Sequence, residues 1–293
     1  MKSLIIFNPT AGLSTKQDTE KLVREKLSSL GYQSEVFYLD ENFEREIASR
    51  DFSEIRLVVA VGGDGTVKVA ARTILANKIK APLAIIPFGS ANVIAVTLGL
   101  PVGIGGALKL LEKAGQTIKI DVGLINKKYY FLVGASIGYI SKVIVGTSKE
   151  LKNRLGFFGY FLNLIFNKIK IKKYKFQIRT RTSAFWVKGN SLVVFNALNY
   201  FGLKPKKPID LQDGIFNLYV FTNKTFLTLI EAFFYLLYFH HPPKHVFYLD
   251  RDYFKIVLKR ESKSCQIDGD FIHLPREIEI KVLSQALEVV VGK

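Results

Sequence analysis

Along the first part of the chain, short apolar runs alternate with segments whose apolar positions recur every three or four residues. Residues 3–7 (SLIIF), 33–39 (QSEVFYL), 57–61 (LVVAV) and 83–87 (LAIIP) read as strands, 57–61 and 83–87 as buried ones because they are unbroken apolar runs. Between them, Leu22, Val23, Leu27 and Leu30 mark an amphipathic helix from about Thr15 to Leu30, stopped by Gly31. A short helix is predicted over 42–50, and Val67, Ala70, Ala71, Ile74 and Leu75 mark another. Helices follow from Asn92 through Leu98 and over about 103–114, and Ile120–Gly123 closes the section. Strands and helices alternating in this way predict a doubly wound parallel sheet. Loops at the carboxyl ends of such strands form the ligand crevice, so Asn8–Gly12 and Gly62–Thr66 are expected to face one site.

Beyond residue 123 the period changes. In 174–181 (YKFQIRTR), Tyr174, Phe176 and Ile178 alternate with Lys175, Gln177, Arg179 and Arg181, the period of a half-buried strand. Residues 129–137, 185–198, 215–222, 253–259 and 278–283 also read as strands, with few helices between them, which predicts an all-β or sandwich-like second domain. The terminal LEVVV (287–291) is a buried-strand pattern that suits either domain. The predicted boundaries are 1–122 for the α/β domain and 123–283 for the β domain. Two stretches interrupt the β region. In 151–173, apolar residues recur at helical spacing and end in lysines, and 226–239 (FLTLIEAFFYLLYF) carries only Glu231 as a charge. Neither reaches the roughly 20 apolar residues of a spanning helix. Each is an interfacial segment, the wall of an apolar pocket, or an ordinary core helix.

The chemistry of the first domain concentrates in 56–77. Gly62, Gly63 and Gly65 end a strand and open a helix, where backbone N–H groups and the helix dipole favour an anion. Asp64 lies in the same turn. A carboxylate facing phosphate repels it unless Mg²⁺ lies between them. A Walker A loop is excluded because Thr66-Val67 stands where Lys-Ser or Lys-Thr is required, and a dinucleotide fingerprint because Lys68 replaces the third glycine. The plain alternative is a turn whose glycines only permit close packing. Ser90 and Asn92, just past the next strand, suit either a helix cap or a hydrogen bond to nucleotide.

Bulk properties narrow the field less. At 293 residues the length suits about two domains, and one cysteine, Cys265, excludes an intramolecular disulfide framework and fits a cytoplasmic protein. Forty-two basic residues against 25 acidic ones give a net charge of +17, a field that attracts nucleic acid, anionic membrane or phosphorylated substrate. No nucleic-acid module is recognisable.

The ordered motifs Asn8-Pro-Thr-Ala-Gly12, Gly62-Gly-Asp-Gly-Thr66, Pro87-Phe-Gly-Ser-Ala-Asn92, Ile120-Asp-Val-Gly123, Asp213-Gly214 and Ile267-Asp-Gly-Asp270 resemble the diacylglycerol kinase catalytic family over essentially the whole chain, most of all its bacterial soluble lipid kinases. The resemblance implies a Rossmann-like nucleotide-binding α/β domain, a β-sandwich domain, an active site between them, and a last strand (about 284–293) that returns to the first domain. It implies ATP held by Asn8, Pro9, Thr10, Ala11, Gly12, Gly62, Gly63, Asp64, Gly65, Thr66, Val67 and Lys68, with Ser90 where the family usually has threonine; Asp40 and Asn92 are counted with these. Asp64 and Asp121 would serve a catalytic Mg²⁺. Asp213, with Asp210 and Ile215, would match a second, structural metal site. The catalytic base would be Asp270, one methylene shorter than the family's usual glutamate, with Asp268 next in line.

The family's usual Asn-Glu after the glycine turn is Lys68-Val69 here, and the usual acid after Asn92 is Val93. Lys68 near a helix N-terminus suits a phosphate contact as a point charge and equally suits solvation. The expected partner is a lipid, with diacylglycerol leading, at an anionic membrane surface, without nucleic acid or a transmembrane segment; a homodimer is left open. Two other readings stand beside it: a soluble-substrate kinase of the NAD kinase type, and a catalytically silent lipid-binding homologue.

Overall fold

The computed structural model describes residues 1–9, 16–146, 172–198, 209–222, 245–259 and 265–292. Thr10–Gly12, the 226–239 stretch and nearly all of 151–173 lie outside the described residues. The chain divides into two compact units, Met1–Ile120 with Gln285–Lys293, and Asp121–Ser284.

The first unit contains β1 (Lys2–Phe7), α1 (Lys16–Ser29), β2 (Gln33–Tyr38), α2 (Phe43–Ala48), β3 (Ile55–Gly62), α3 (Asp64–Ala76), β4 (Leu83–Pro87), α4 (Val93–Thr97), α5 (Ile104–Leu111) and the start of β5 (Thr117–Ile125). Strands β2, β1, β3 and β4 lie side by side in that order, all parallel. Leu57–Ala60 and Leu83–Ile86 are at most 1% exposed, as unbroken apolar runs demand when helices cover both faces of a sheet. On α1 the buried stripe is Thr19, Val23 and Leu27, at i, i+4 and i+8. Leu22, which the sequence pattern assigns to the buried face, is instead 43% exposed because it lies about a quarter-turn off that stripe. The winding direction reverses between β1 and β3, so the ends of these two strands flank the crevice of such a sheet. The Asn8 N–H donates to the Val61 carbonyl at 3.1 Å and ties those ends together.

The second unit continues with β6 (Tyr129–Phe131), β7 (Gly134–Gly138), α6 (Tyr139–Gly146), β8 (Tyr174–Arg179), β9 (Ala184–Gly189), β10 (Ser191–Phe195), β11 (Phe216–Phe221), β12 (Val246–Arg251), β13 (Tyr253–Leu258), β14 (Cys265–Ile267), β15 (Asp270–Ile272) and β16 (Glu277–Val290). An antiparallel sheet runs β12-β11-β10-β7-β14-β15, and a second runs β16-β13-β8-β9. One core holds inward residues of both, including Phe176, Ile256 and Ile280 from the second sheet and Val194, Leu218 and Ile267 from the first. That is a β-sandwich.

Three sequence-based boundaries differ. The 185–198 run is two strands in different sheets, parting at Gly189–Asn190. A Cβ on Gly189 would come 2.5 Å from Val220 Cγ1, so the chain crosses where no side chain is tolerated. The segments 278–283 and 287–291 are one strand, β16, with Gln285 at φ 49°. Its end, Val289, pairs with Leu83 of β4 in the first unit. The 129–137 run is likewise two strands, β6 and β7, which belong to different sheets. Strand β12 and helix α6 are absent from the hydrophobic pattern, because their cross-strand and sheet partners are distant in sequence.

Gly123, a member of the Ile120–Gly123 motif, pairs with Phe131, whose ring would sit 2.0 Å from a Cβ there. A Gly123→Ala chain is expected to lose about 1–3 kcal/mol of stability through overpacking, read as a lower thermal midpoint in calorimetry.

Candidate active site

The turn after β3 is built by contact between backbones. A Cβ on Gly89 would lie 2.6 Å from the Gly63 Cα, so the turns after β3 and β4 touch glycine to glycine. A Cβ on Gly62 would lie 2.1 Å from Thr66 Oγ1, so Thr66 folds its hydroxyl back over the strand end. Packing therefore accounts for Gly62, Gly63 and Gly89. It does not account for Gly65, where a Cβ would meet nothing within 4 Å and the residue is exposed. Thr66 Oγ1 is buried and has no hydrogen-bond partner among the described residues. An open glycine and an orphaned hydroxyl in the first turn of a 13-residue helix are what an anion-binding N-terminus offers.

Asn92 does not cap α4. At φ 44° its side chain closes on the preceding glycine, Oδ1 accepting from the Gly89 N–H at 2.9 Å and Nδ2 donating to the Gly89 carbonyl at 2.7 Å. The reason is geometric: a left-handed Asn turns its amide back along the loop. Asn92 thus shapes the loop, and Ser90 is the exposed residue on it. Asp64 spans the two turns, since its Oδ1 accepts from the Ile94 N–H at 3.4 Å. Asp40, past β2, accepts from the Asn42 N–H at 2.8 Å and starts α2. Val67 is buried beneath α3 and Lys68 is half-buried on it. The first unit therefore brings Asn8, Pro9, Gly62–Lys68 and Ser90–Asn92 to the carboxyl ends of β1, β3 and β4.

In the second unit, Asp268 and Gly269 are the two loop residues between β14 and β15, with φ of 48° and 87°. Positive φ at both positions is what a type I′ hairpin requires, and Asp-Gly is a favoured pair for it. The Asp268 carboxylate accepts the N–H groups of Leu132, Val133 and Gly134, each at 2.9 Å, and its own N–H donates to the Gly134 carbonyl. Asp268 is thus a structural anchor of the hairpin. Asp270 begins β15 and is exposed. The sequence reading missed what holds this hairpin from below. Gln266, 5% exposed, accepts the Gly269 N–H through Oε1 at 2.7 Å and donates through Nε2 to Ser136 Oγ at 2.9 Å, and Ser136 shares a hydrogen bond with Ser141. The only local signal was a glutamine between Cys265 and Ile267.

Asp121 is fully buried. Its Oδ2 accepts the Gly214 N–H at 2.6 Å, its N–H donates to the Leu211 carbonyl, and its carbonyl accepts from Asn196 Nδ2. These bonds tie it to the 209–215 loop. In that loop Asp210 Oδ1 accepts from the Gln212 N–H and Asp213 Oδ1 from the Ile215 N–H, two Asx turns in succession. Nearby, the Tyr248 phenol is pushed up to about 12, first by burial and then by the carboxylates of Asp250 and Asp213, and it donates to Asn217 Oδ1. Among the described residues no three His, Cys, Asp or Glu side chains converge on one point. The donors at hand are sparse carboxylates and carbonyls, a set that suits Mg²⁺ completed by phosphate and water rather than an all-protein cage.

Residues 2–125 match the diacylglycerol kinase catalytic domain. A protein of Escherichia fergusonii named Probable lipid kinase YegS is 30% identical over 236 residues, 77% of this chain and 76% of that one. This chain belongs to the diacylglycerol kinase catalytic family. A diacylglycerol kinase of Staphylococcus epidermidis is 32% identical over 165 residues, and the match spans 55% of this chain and only about half, 51%, of that relative. A crystal structure of a diacylglycerol kinase from Bacillus anthracis superposes with a TM-score of 0.75 at 21% identity, covering 99% of this chain and 97% of that one. A second, from the same strain, reaches 0.80 at 23% identity and covers 99% and 95%. At these identities the likeness establishes the shared fold, an α/β domain joined to a β-sandwich. The family resemblance is borne out, and the matched region holds the first four of the six motifs; Thr10–Gly12 of the opening motif lie outside the described residues.

The two aspartates of the hairpin separate cleanly by experiment. Asp268→Ala leaves three N–H groups without their acceptor and is expected to cost about 2–4 kcal/mol. Asp270→Ala, at an exposed position, is expected to stay within about 0.5 kcal/mol of the parent in urea unfolding.

Proposed function

We propose that the chain is an ATP- and Mg²⁺-dependent lipid kinase, peripheral to the membrane, that transfers a γ-phosphoryl group to a lipid hydroxyl, with diacylglycerol as the leading substrate and phosphatidic acid as product. The observation that carries the nucleotide half is the Gly62–Thr66 turn. Two of its glycines are spent on packing, and the third, with the Thr66 hydroxyl, is left for a ligand. The names of the Staphylococcus and Escherichia relatives support the lipid half.

In this reading the first turn of α3 binds and orients the phosphates, and Lys68 adds a point charge. Asp64 is the carboxylate that would hold Mg²⁺, which when bound neutralises charge on the transferring group. Asp270 accepts the proton of the lipid hydroxyl. The hydroxyl oxygen forms its bond to the γ-phosphorus as the bond from that phosphorus to the β–γ bridging oxygen breaks, and ADP leaves with the electron pair. Asp268 and Gln266 hold the hairpin and so position Asp270. Asp121, Asp210 and Asp213 shape the 209–215 loop, with Asp210, Asp213 and the Ile215 backbone proposed as a second, structural cation site.

Turnover of ATP is to be measured with mixed lipid extract, with purified diacylglycerol and with NAD. Phosphorylated lipid from the first two, and none from NAD, is the expected result; NAD phosphorylation or no turnover at all overturns it. Asp270→Ala is expected to lower kcat by about 10²–10⁴-fold, the usual worth of a positioned base. Asp64→Ala is expected to remove the Mg²⁺ dependence along with most activity.

Gly65→Ala gives a sharper comparison for the turn. It is expected to leave the thermal midpoint unchanged or slightly raised, because alanine is favoured over glycine in a helix by roughly 0.5–1 kcal/mol. Its ATP KM is expected to rise several-fold, as is that of Lys68→Ala. An unchanged KM in both would show that the turn's glycine and cation serve packing and solvation only.

A further inference from the structure

The outward face of the β16-β13-β8-β9 sheet is used by nothing described so far. Register places its residues in cross-strand rows. Lys188 lies opposite Lys175, and the Lys259 N–H bonds to the Lys175 carbonyl, which makes one row of three lysines. The next row holds Trp186, Gln177, Val257 and Glu277, and the one beyond it Ala184, Arg179, Lys255 and Glu279. Trp186 is 57% exposed, on the edge strand β9, with Lys175 Nζ 4.5 Å above its ring. The ion pairs on this side, among the described residues, are Lys255–Glu277 and Arg181–Asp252. Neither involves a lysine of the three-lysine row, and Arg179 donates to the neutral Gln177 two residues before it on the same strand.

A solvated face does not need an exposed tryptophan, the costliest side chain to leave in water. An indole set among lysines is instead the composition of an interfacial belt, where an amphipathic ring enters the headgroup level and cations meet anionic lipid. A nucleic-acid surface is the less suitable reading, since single-stranded recognition stacks successive bases on aromatic platforms, whereas the second aromatic of this face, Tyr253, already carries Arg181 over its ring.

We propose that the outer face of β8, β9 and β13, centred on Trp186 and the lysine row 188–175–259, docks on anionic phospholipid. The proposal deepens the lipid-kinase reading, and rests on it for the reason a membrane is needed. It names a surface built from residues outside the hydrophobic stretches 151–173 and 226–239 of the sequence. Docking brings the indole out of water and exchanges the counterions of the lysines for lipid phosphates.

The chain has a single tryptophan, so its intrinsic emission reports on this face alone. The full chain is titrated with phosphatidylcholine vesicles, with and without phosphatidylglycerol, and with a duplex oligonucleotide. The expected result is a shift of emission to shorter wavelength and reduced acrylamide quenching with the anionic vesicles only, reversed by high salt. Each lysine removed in Lys188→Ala and Lys259→Ala is expected to weaken vesicle affinity about fivefold. Trp186→Phe, followed by cosedimentation, is expected to weaken it while leaving ATP turnover on detergent-dispersed lipid intact.

Vesicle binding with unchanged Trp186 emission overturns the proposal, because another surface then docks. A spectral change with the oligonucleotide but not with vesicles overturns it in favour of nucleic acid. No vesicle binding, with full turnover on dispersed lipid, also overturns it and leaves the lipid-kinase reading standing. Binding and shift without any lipid turnover support the docking face while removing the lipid-kinase reading.

Discussion

The contact between Gly63 and Gly89 governs the first unit. Neighbouring parallel strands lie about 4.8 Å apart, so the turns that leave β3 and β4 on the same edge compete for one space. They fit only because neither residue carries a side chain. Asn92 then holds the second turn shut through its paired bonds to Gly89, and Asp64 reaches across to the Ile94 N–H. With the two turns pressed together and α4 drawn in, the first turn of α3 is left with an open flank at Gly65. The site is what remains once backbone packing has been satisfied.

The sandwich unit solves a similar problem by another route. A hairpin loop must stand at the sheet end without losing its register, and the Asp268 carboxylate fastens it by taking up three consecutive N–H groups. Two of those N–H groups, of Leu132 and Val133, belong to the link between β6 and β7, and the third, of Gly134, opens β7. Gln266, Ser136 and Ser141 form a buried polar chain under the same loop, with a Gln266 acceptor used by the Gly269 N–H and its donor by Ser136. In both units a polar side chain secures the backbone so that a different residue, Gly65 or Asp270, faces outward.

The net charge of +17 gains meaning only when its distribution is considered. Some of it is met locally, as where Lys2 pairs with Glu54 and Lys26 with Glu112. On the β8–β9–β13 face, strand pairing gathers Lys175, Lys188 and Lys259 into one row beside Trp186. Those four residues come from β8, β9 and the residue just past β13, segments distant in sequence that only strand pairing brings together.

The class of each unit and the position of the Gly62–Thr66 turn were legible in the amino-acid sequence. Buried runs such as 57–61 and 83–87 and the alternation of 174–179 are local consequences of helix and strand periods, and the Gly-Gly-Asp-Gly spacing is a local consequence of a tight strand-to-helix turn. The sequence also named Asp268 and Asp270 as a pair. That Asp268 fastens the hairpin came only from the fold, because the N–H groups it accepts lie 134–136 residues earlier in the chain. The same holds for Asn92, legible as a cap or a ligand but turned by its left-handed backbone onto Gly89, and for Gly123, whose lack of a side chain answers to the ring of Phe131 across the strand. Local periodicity is written in adjacent residues; the partner of a buried polar group or of a missing Cβ is supplied only by the fold.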